Sequence, residues 1–199
     1  MKLVQGSRMA FLSCFLVLAL VNCGGGGGGG DSGGGAGSGV IADFTANCLN
    51  TDACSNGAVT SQKGTAANNV VEVQLWLNKV NTTIGEAQLD LAFDPTVVSY
   101  QGYTEGTALG GSGGGTKYLV DDQQQPGEVL VDIAPPAGGK SISSPAIMVK
   151  LTFKVLKVSG GSNFSFRNPD TLNGTALFNT TGVIILTING WTGGLFSGV

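Results

Sequence analysis

Cys48 and Cys54, with five residues between them in NCLNTDACSN, and the adjacent carboxylates Asp121 and Asp122 are the groups whose types and spacing could do chemistry. As metal ligands the cysteines lack companions, and as a redox pair they lack the two-residue spacing such motifs use. In an oxidising compartment the same pair reads as a local disulfide closing a small loop. Asp121 and Asp122 could hydrolyse a glycoside only by facing each other across a cleft of about 5–10 Å, and neighbours in sequence point apart. The glycine-rich LGGSGGGTK lacks the GxxxxGK[ST] spacing of a phosphate-binding loop and is followed by no helical pattern, so it reads as an inter-strand loop. The chain has no histidine, which removes the commonest general base and transition-metal ligand. The expectation is a protein that is not an enzyme, with no catalytic residues, no cofactor and no metal site.

A different cysteine carries a different chemistry. Lys2 and Arg8 precede a thirteen-residue apolar stretch, Met9 to Val21, which is the layout of an export signal. Crossing a membrane takes about 20 apolar residues, and no later stretch approaches that length. The following Leu20-Val21-Asn22-Cys23 resembles the lipobox of bacterial lipoproteins. That resemblance implies removal of residues 1–22 and lipidation of Cys23, and Gly24 in place of Asp implies the outer membrane or cell surface of the envelope. From Gly24 to Gly39 there are twelve glycines with Ser, Ala and one Asp, a composition with nothing to bury. The segment 23–39 therefore reads as a lipidated cysteine and a flexible tether, about 22 Å across as a coil. Membrane contact is expected through the lipid anchor alone.

The remaining chain divides into an N-terminal segment with the disulfide loop, 40–57, and a β-rich domain, 58–199. Loss of Lys2 and Arg8 turns the formal charge from -3 to -5, and an acidic domain without basic clusters is a poor match for nucleic acid. The dominant hydrophobic period is two. Val71, Val73, Leu75 and Leu77 alternate with Glu72, Gln74 and Trp76, and Ala87, Leu89, Leu91 and Phe93 alternate with Glu86, Gln88, Asp90 and Ala92. Val129, Val131 and Ile133 repeat the design, as do Ile147, Val149, Leu151, Phe153 and Val155; NFSFR and VIILTI are further β-rich runs. Gly-, Pro- and Asn-rich breaks separate them. Many short strands with one apolar face each predict two antiparallel sheets packed as a β-sandwich, an all-β fold.

The succession VEVQLWLNKV, GEAQLDLAFDPTVVSYQGY, GEVLVDIAPP and AIMVKLTFKVL, closed by an apolar strand and WTGG, resembles the cohesin domain and its relatives among carbohydrate-binding modules. AFDPTVVSY, residues 92–100, is the most diagnostic piece, with Pro95 fixing the turn and the Asp94 carboxylate placed to cap local backbone donors. The resemblance implies a nine-stranded jelly roll whose partner is a dockerin-like protein held against an open sheet face. Carried over by strand parity, the partner-binding residues are Glu86, Gln88, Asp90, Leu130 and Asp132. The relatives imply an alternative, direct binding of polysaccharide through aromatic platforms, for which Trp76, Tyr100 and Tyr103 are the candidates. Cys23→Ser is expected to shift the protein from the detergent phase to the aqueous phase and to remove acyl mass from its N-terminal peptide. An unchanged partition would count against the anchor.

Overall fold

The computed structural model describes residues 39–199 except Ser159 and Thr187; the export signal, Cys23 and all but the last residue of the glycine segment lie outside the described residues. The period-two runs form strands. β1 (Ala42–Ala46), β4 (Ile84–Ala92), β6 (Lys117–Asp121), β7 (Glu128–Ala134), β9 (Ser162–Phe166), β10 (Ala176–Asn179) and β12 (Gly194–Gly198) make one sheet in the order β1-β12-β9-β4-β7-β6, with β10 also paired to β4. β2 (Val59–Ala67), β3 (Val70–Leu77), β5 (Val98–Glu105), β8 (Ala146–Val155) and β11 (Trp191–Thr192) make the other, in the order β11-β2-β3-β8-β5. The pairings are antiparallel apart from β11 on β2. The architecture is the expected all-β sandwich; the strands among the described residues number twelve against the nine expected, and β10 and β11 are only four and two residues long.

The inward rows meet as the alternation requires. Val71, Val73, Leu75, Leu77, Ala87, Leu89, Leu91, Val129, Val131, Ile133, Val149, Leu151, Phe153 and Val155 are all buried. At their centre the Phe153 ring on β8 sits 4.9 Å from Phe196 and 5.7 Å from Phe164, both on the opposite sheet, and 5.3 Å from Phe93. Such tilted and edge-on contacts suit aromatic quadrupoles and add to area burial. Phe44 of β1 joins the cluster against Phe164 and Phe196, so the segment 40–57 supplies a strand and a core residue to the sandwich. Cys48 and Cys54 are joined as a disulfide just beyond β1, and the Cys48 carbonyl accepts a 2.6 Å bond from Gln62 Nε2 on β2.

Two readings of the sequence change. Parity places Ile147 inward, yet Leu75 pairs with Val149 while Trp76 pairs with Ile147, leaving Met148 as an extra residue. This β-bulge inverts the alternation: Met148 is fully buried and Ile147 sits beside Trp76 on the outer side. Among its described residues, VIILTI does not continue as a strand. Asn179 Oδ1 accepts bonds from Thr181 N and Val183 N, turning the chain back so that only Ile184 bridges to Phe178 and Ile185 drops into the core.

The Asp-Pro turn forms as its chemistry suggests. Asp94 Oδ1 accepts from Thr96 N at 2.8 Å, and this bond, with the Thr96 hydroxyl, holds the exposed carboxyl below its ordinary range. Gly127, at φ +84°, lies where any Cβ would strike the Phe93 carbonyl and Pro95, which lets the β6–β7 loop close over the turn. Phe153→Ala removes the ring shared by both sheets and is expected to cost about 3–5 kcal/mol. Urea unfolding of the mature chain measures it, and a loss below about 1 kcal/mol would show that the core does not depend on this ring.

Candidate partner-binding face

The outward residues of β10, β4, β7 and β6 fall into rows fixed by register. Ala176, Gln88, Asp132 and Leu119 form one row. Asp90, Leu130 and Asp121 form the next, and Ala92 and Glu128 the one after. On the other side, Glu86 faces Phe178. Glu86, Gln88, Leu130 and Asp132 are half-buried on this common face, so the structure brings four of the five expected residues together.

Asp90 departs from expectation. Strand parity predicts an outward docking residue, but only 6% of it is accessible. The cause is a change of neighbour along β4, which pairs with β10 up to Gln88 and with β9 from Leu91. Thr175 fills the gap: its hydroxyl accepts from Asp90 N and donates to Asp90 O, both at 3.0 Å, and Arg167 N donates to the same carbonyl at 2.8 Å. Arg167 Nη1 binds Glu128 Oε2 at 2.6 Å, and its Nε lies 3.9 Å from Asp90 Oδ2. Burial and the Glu128 charge push the Asp90 carboxyl above its ordinary range against the pull of Arg167. Asp90 Oδ1 is buried with no hydrogen-bond partner. Asp90 therefore supports the face from within.

A second strained set sits nearby. Glu86 and Asp132 are diagonal neighbours on paired strands, close enough for their carboxyls to share a proton. Burial, then the adjacent Asp132, raises Glu86; burial raises Asp132, opposed by hydrogen bonds from Glu86 and the Ile133 backbone. Asp132 Oδ1 is buried without a partner. Beside it lies a cavity of about 240 Å³ lined by Gln88, Leu119, Asp121, Gln124, Leu130, Val131 and Asp132. Leu119 is 67% exposed at its rim.

Sequence reasoning missed Leu119, Asp121, Glu128 and Arg167 on this face. Glu128 was within reach, since it shares the parity of Leu130 and Asp132 one step earlier in GEVLVDIA. Leu119 and Asp121 belong to KYLVD, a five-residue strand whose alternation is too short to stand out after a glycine run.

The three candidate aromatics do not assemble. Tyr100 and Tyr103 pair in register with Phe153 and Leu151, both buried, and so share the inner side of the edge strand β5, where Tyr100 is half-buried and Tyr103 stays exposed. Tyr100 packs at 5.7 Å on Phe153, and burial followed by the Asp122 charge pushes its phenol up to about 12. Tyr103 stacks on Tyr118 across the open side of the sandwich, with ring centroids 6.3 Å apart. Trp76 alternates with buried Leu75 and Leu77 and so lies on the outer side of the same sheet, its Nε1 donating to Gln74 Oε1 at 3.1 Å. Among the described residues, the one cluster with metal-ligand proximity is Cys48, Asp52 and Cys54, and its thiols are consumed by the disulfide.

Two packed sheets with a mixed acidic and apolar outer face on the β4–β7 side place this protein among the all-β sandwich modules. The chain belongs to the cohesin domain family, whose model matches residues 56–185, a span holding β2 through β10. No curated protein matches the chain. Among solved structures it is similar to CaCohA2 from Clostridium acetobutylicum, at 18% identity and a TM-score of 0.53 over 70% of this chain and 90% of that one. It is also similar to the sixth cohesin of Acetivibrio cellulolyticus scaffoldin B, solved in complex with a mutant dockerin, at 14% identity and a TM-score of 0.52 over 69% of this chain and 96% of that one.

The raised carboxyl pair has a measurable sign. A folded-state value above the unfolded one means that the folded form binds the proton more tightly, so this pair favours folding at low pH and its contribution is lost as pH rises through the folded values. Glu86→Gln is therefore expected to raise Tm at pH 7 by about 1–2 °C, on a scale where about 1 kcal/mol moves a domain of this size 2–4 °C. The gain should vanish near pH 3, where both carboxyls are already protonated. Calorimetry at the two pH values checks it, and a gain of equal size at both would exclude the pairing.

Proposed function

We propose that this protein is an exported, lipid-anchored, non-enzymatic docking module that captures a dockerin-like protein on the outer face of β4 and β7. The observation that carries the reading is the row structure of that face: half-buried Glu86, Gln88, Leu130 and Asp132 lie together, stiffened beneath by Asp90 and Arg167. Acidic groups interleaved with apolar ones suit a protein surface, where apolar contacts supply affinity and charge supplies register and selectivity. Membership of the cohesin family supports the partner class, since the scaffoldin B relative was solved with a dockerin against it. A tether from Cys23 would hold the face near the cell surface and raise the local concentration of whatever it captures, with polysaccharide breakdown as the setting. Direct sugar binding through Trp76, Tyr100 and Tyr103 draws no support from their placement on opposite sides of one sheet.

The immobilised mature chain should retain from its own cells' extract a protein carrying a duplicated calcium-loop module, identified by mass spectrometry and released by chelation of calcium. Gln88→Arg combined with Leu130→Arg adds bulk to the face without altering an inward side chain, and should weaken capture about 100-fold or more. Undiminished capture by the double variant would exclude this face. Retention of the protein on glycans, with no protein captured, would exclude the docking reading.

A further inference from the structure

The hollow beside Asp132 has a definite chemistry. Its apolar lining is Leu130 with the exposed Leu119 at the rim, and its polar lining is carboxylate and amide, from Asp121, Asp132, Gln88 and Gln124. Gln124 Nε2 donates one of its two N–H groups to Asp121 Oδ2 at 2.6 Å, and its carbonyl is left as an acceptor. Asp132 Oδ1 is buried without a hydrogen-bond partner, while the carboxyl as a whole is reached by Glu86 and the Ile133 backbone.

The charges around the hollow are unbalanced. Glu86 and Asp90 on β4, Asp121 on β6, and Glu128 and Asp132 on β7 face outward together. The cations on the same elements and their neighbours are Lys117 of β6, in register with Ala134, Lys140, whose backbone bridges to Ile84 at the start of β4, and Arg167 just past β9, which is engaged by Glu128 and Asp90. A cation placed at Asp132 would supply the missing donor and relieve the repulsion between Asp132 and Glu86. An aliphatic stem laid over Leu119 and Leu130 would cover apolar area now in water, as long cationic side chains do. Several acceptors spread along one wall match the fork of N–H donors on a guanidinium better than the point charge of an ammonium.

We propose that the hollow between β6 and β7 is the seat of a single arginine side chain of the partner, its stem on Leu119 and Leu130 and its guanidinium on Asp132 and Asp121. This rests on the reading of the β4–β7 face as the docking surface, and it names the chemistry that selects a partner there. The raised proton affinity of Glu86 and Asp132 is what two carboxyls awaiting a cation should show.

The test uses N-acetylarginine amide and its neutral isostere N-acetylcitrulline amide, titrated into the isotope-labelled mature chain and followed by amide shifts. The arginine compound should move the signals of Leu119, Asp121, Leu130 and Asp132, and bind about tenfold or more tightly than the citrulline compound. Asp132→Asn should erase that preference while leaving the remaining spectrum in place. Equal affinity for the two compounds, or shifts confined to another region, overturns the proposal. Capture of the calcium-loop partner through this face without arginine preference overturns the hollow and leaves the docking reading intact. Arginine preference without capture supports the hollow and overturns the docking reading.

Discussion

Everything in this fold depends on the apolar rows of two sheets meeting at Phe153. Its ring contacts Phe93, Phe164 and Phe196, which come from the end of β4, from β9 and from β12. One side chain thus fixes the spacing between the sheets and the height of the Asp94-Pro95 turn at the end of β4. Because pleated strands present alternate residues to opposite sides, fixing the inner rows fixes the outer ones as well. Glu86 and Gln88 face outward because Ala87 and Leu89 are held within.

The outer face owes its rigidity to a place where pairing fails. β4 exchanges one neighbour for another at Asp90, and a single hydroxyl, Thr175 Oγ1, serves both the N–H and the C=O left over. The exchange leaves Asp90 covered on the outer side and brings Arg167 to bridge β4 and β7 between Asp90 and Glu128. A partly buried cation fixed between two carboxylates limits how far those strands can slide, at the cost of leaving Asp90 Oδ1 without a donor.

What could be read in the sequence followed from how locally each feature is determined. β3, β4, β7 and β8 were legible because each carries three or more inward residues at strict period two. The failures fall where alternation is interrupted. The extra residue at Met148 is invisible to any parity count, since the bulge is defined by the partner strand and not by β8 alone. β10 is four residues long, and VIILTI, apolar enough for a strand, is turned aside by the side chain of Asn179, whose bonds to Thr181 and Val183 are a local polar signal that the apolar run outweighs in a hydrophobicity count. On the candidate face, parity found Glu86, Gln88, Leu130 and Asp132, yet it could not show that Asp90 lies beneath Arg167, because that contact joins residues far apart in the chain. Nothing local shows that β5 pairs with β8 in the register that turns Tyr100 onto Phe153 and sets Tyr103, still exposed, opposite Leu151.

The two ends of the described chain meet: Ile41 and Val199 exchange backbone hydrogen bonds of 2.8 and 3.1 Å, continuing the ladder between β1 and β12. A mechanical load arriving through residue 39 is therefore delivered to an edge strand at its outermost rung. Directed along β1, it is shared by the five register pairs Ala42 to Ala46; directed across the strand, it meets them in turn, starting at Ile41. The module's endurance when pulled by what it holds is then a matter of how fast that edge peels, a kinetic quantity distinct from equilibrium stability.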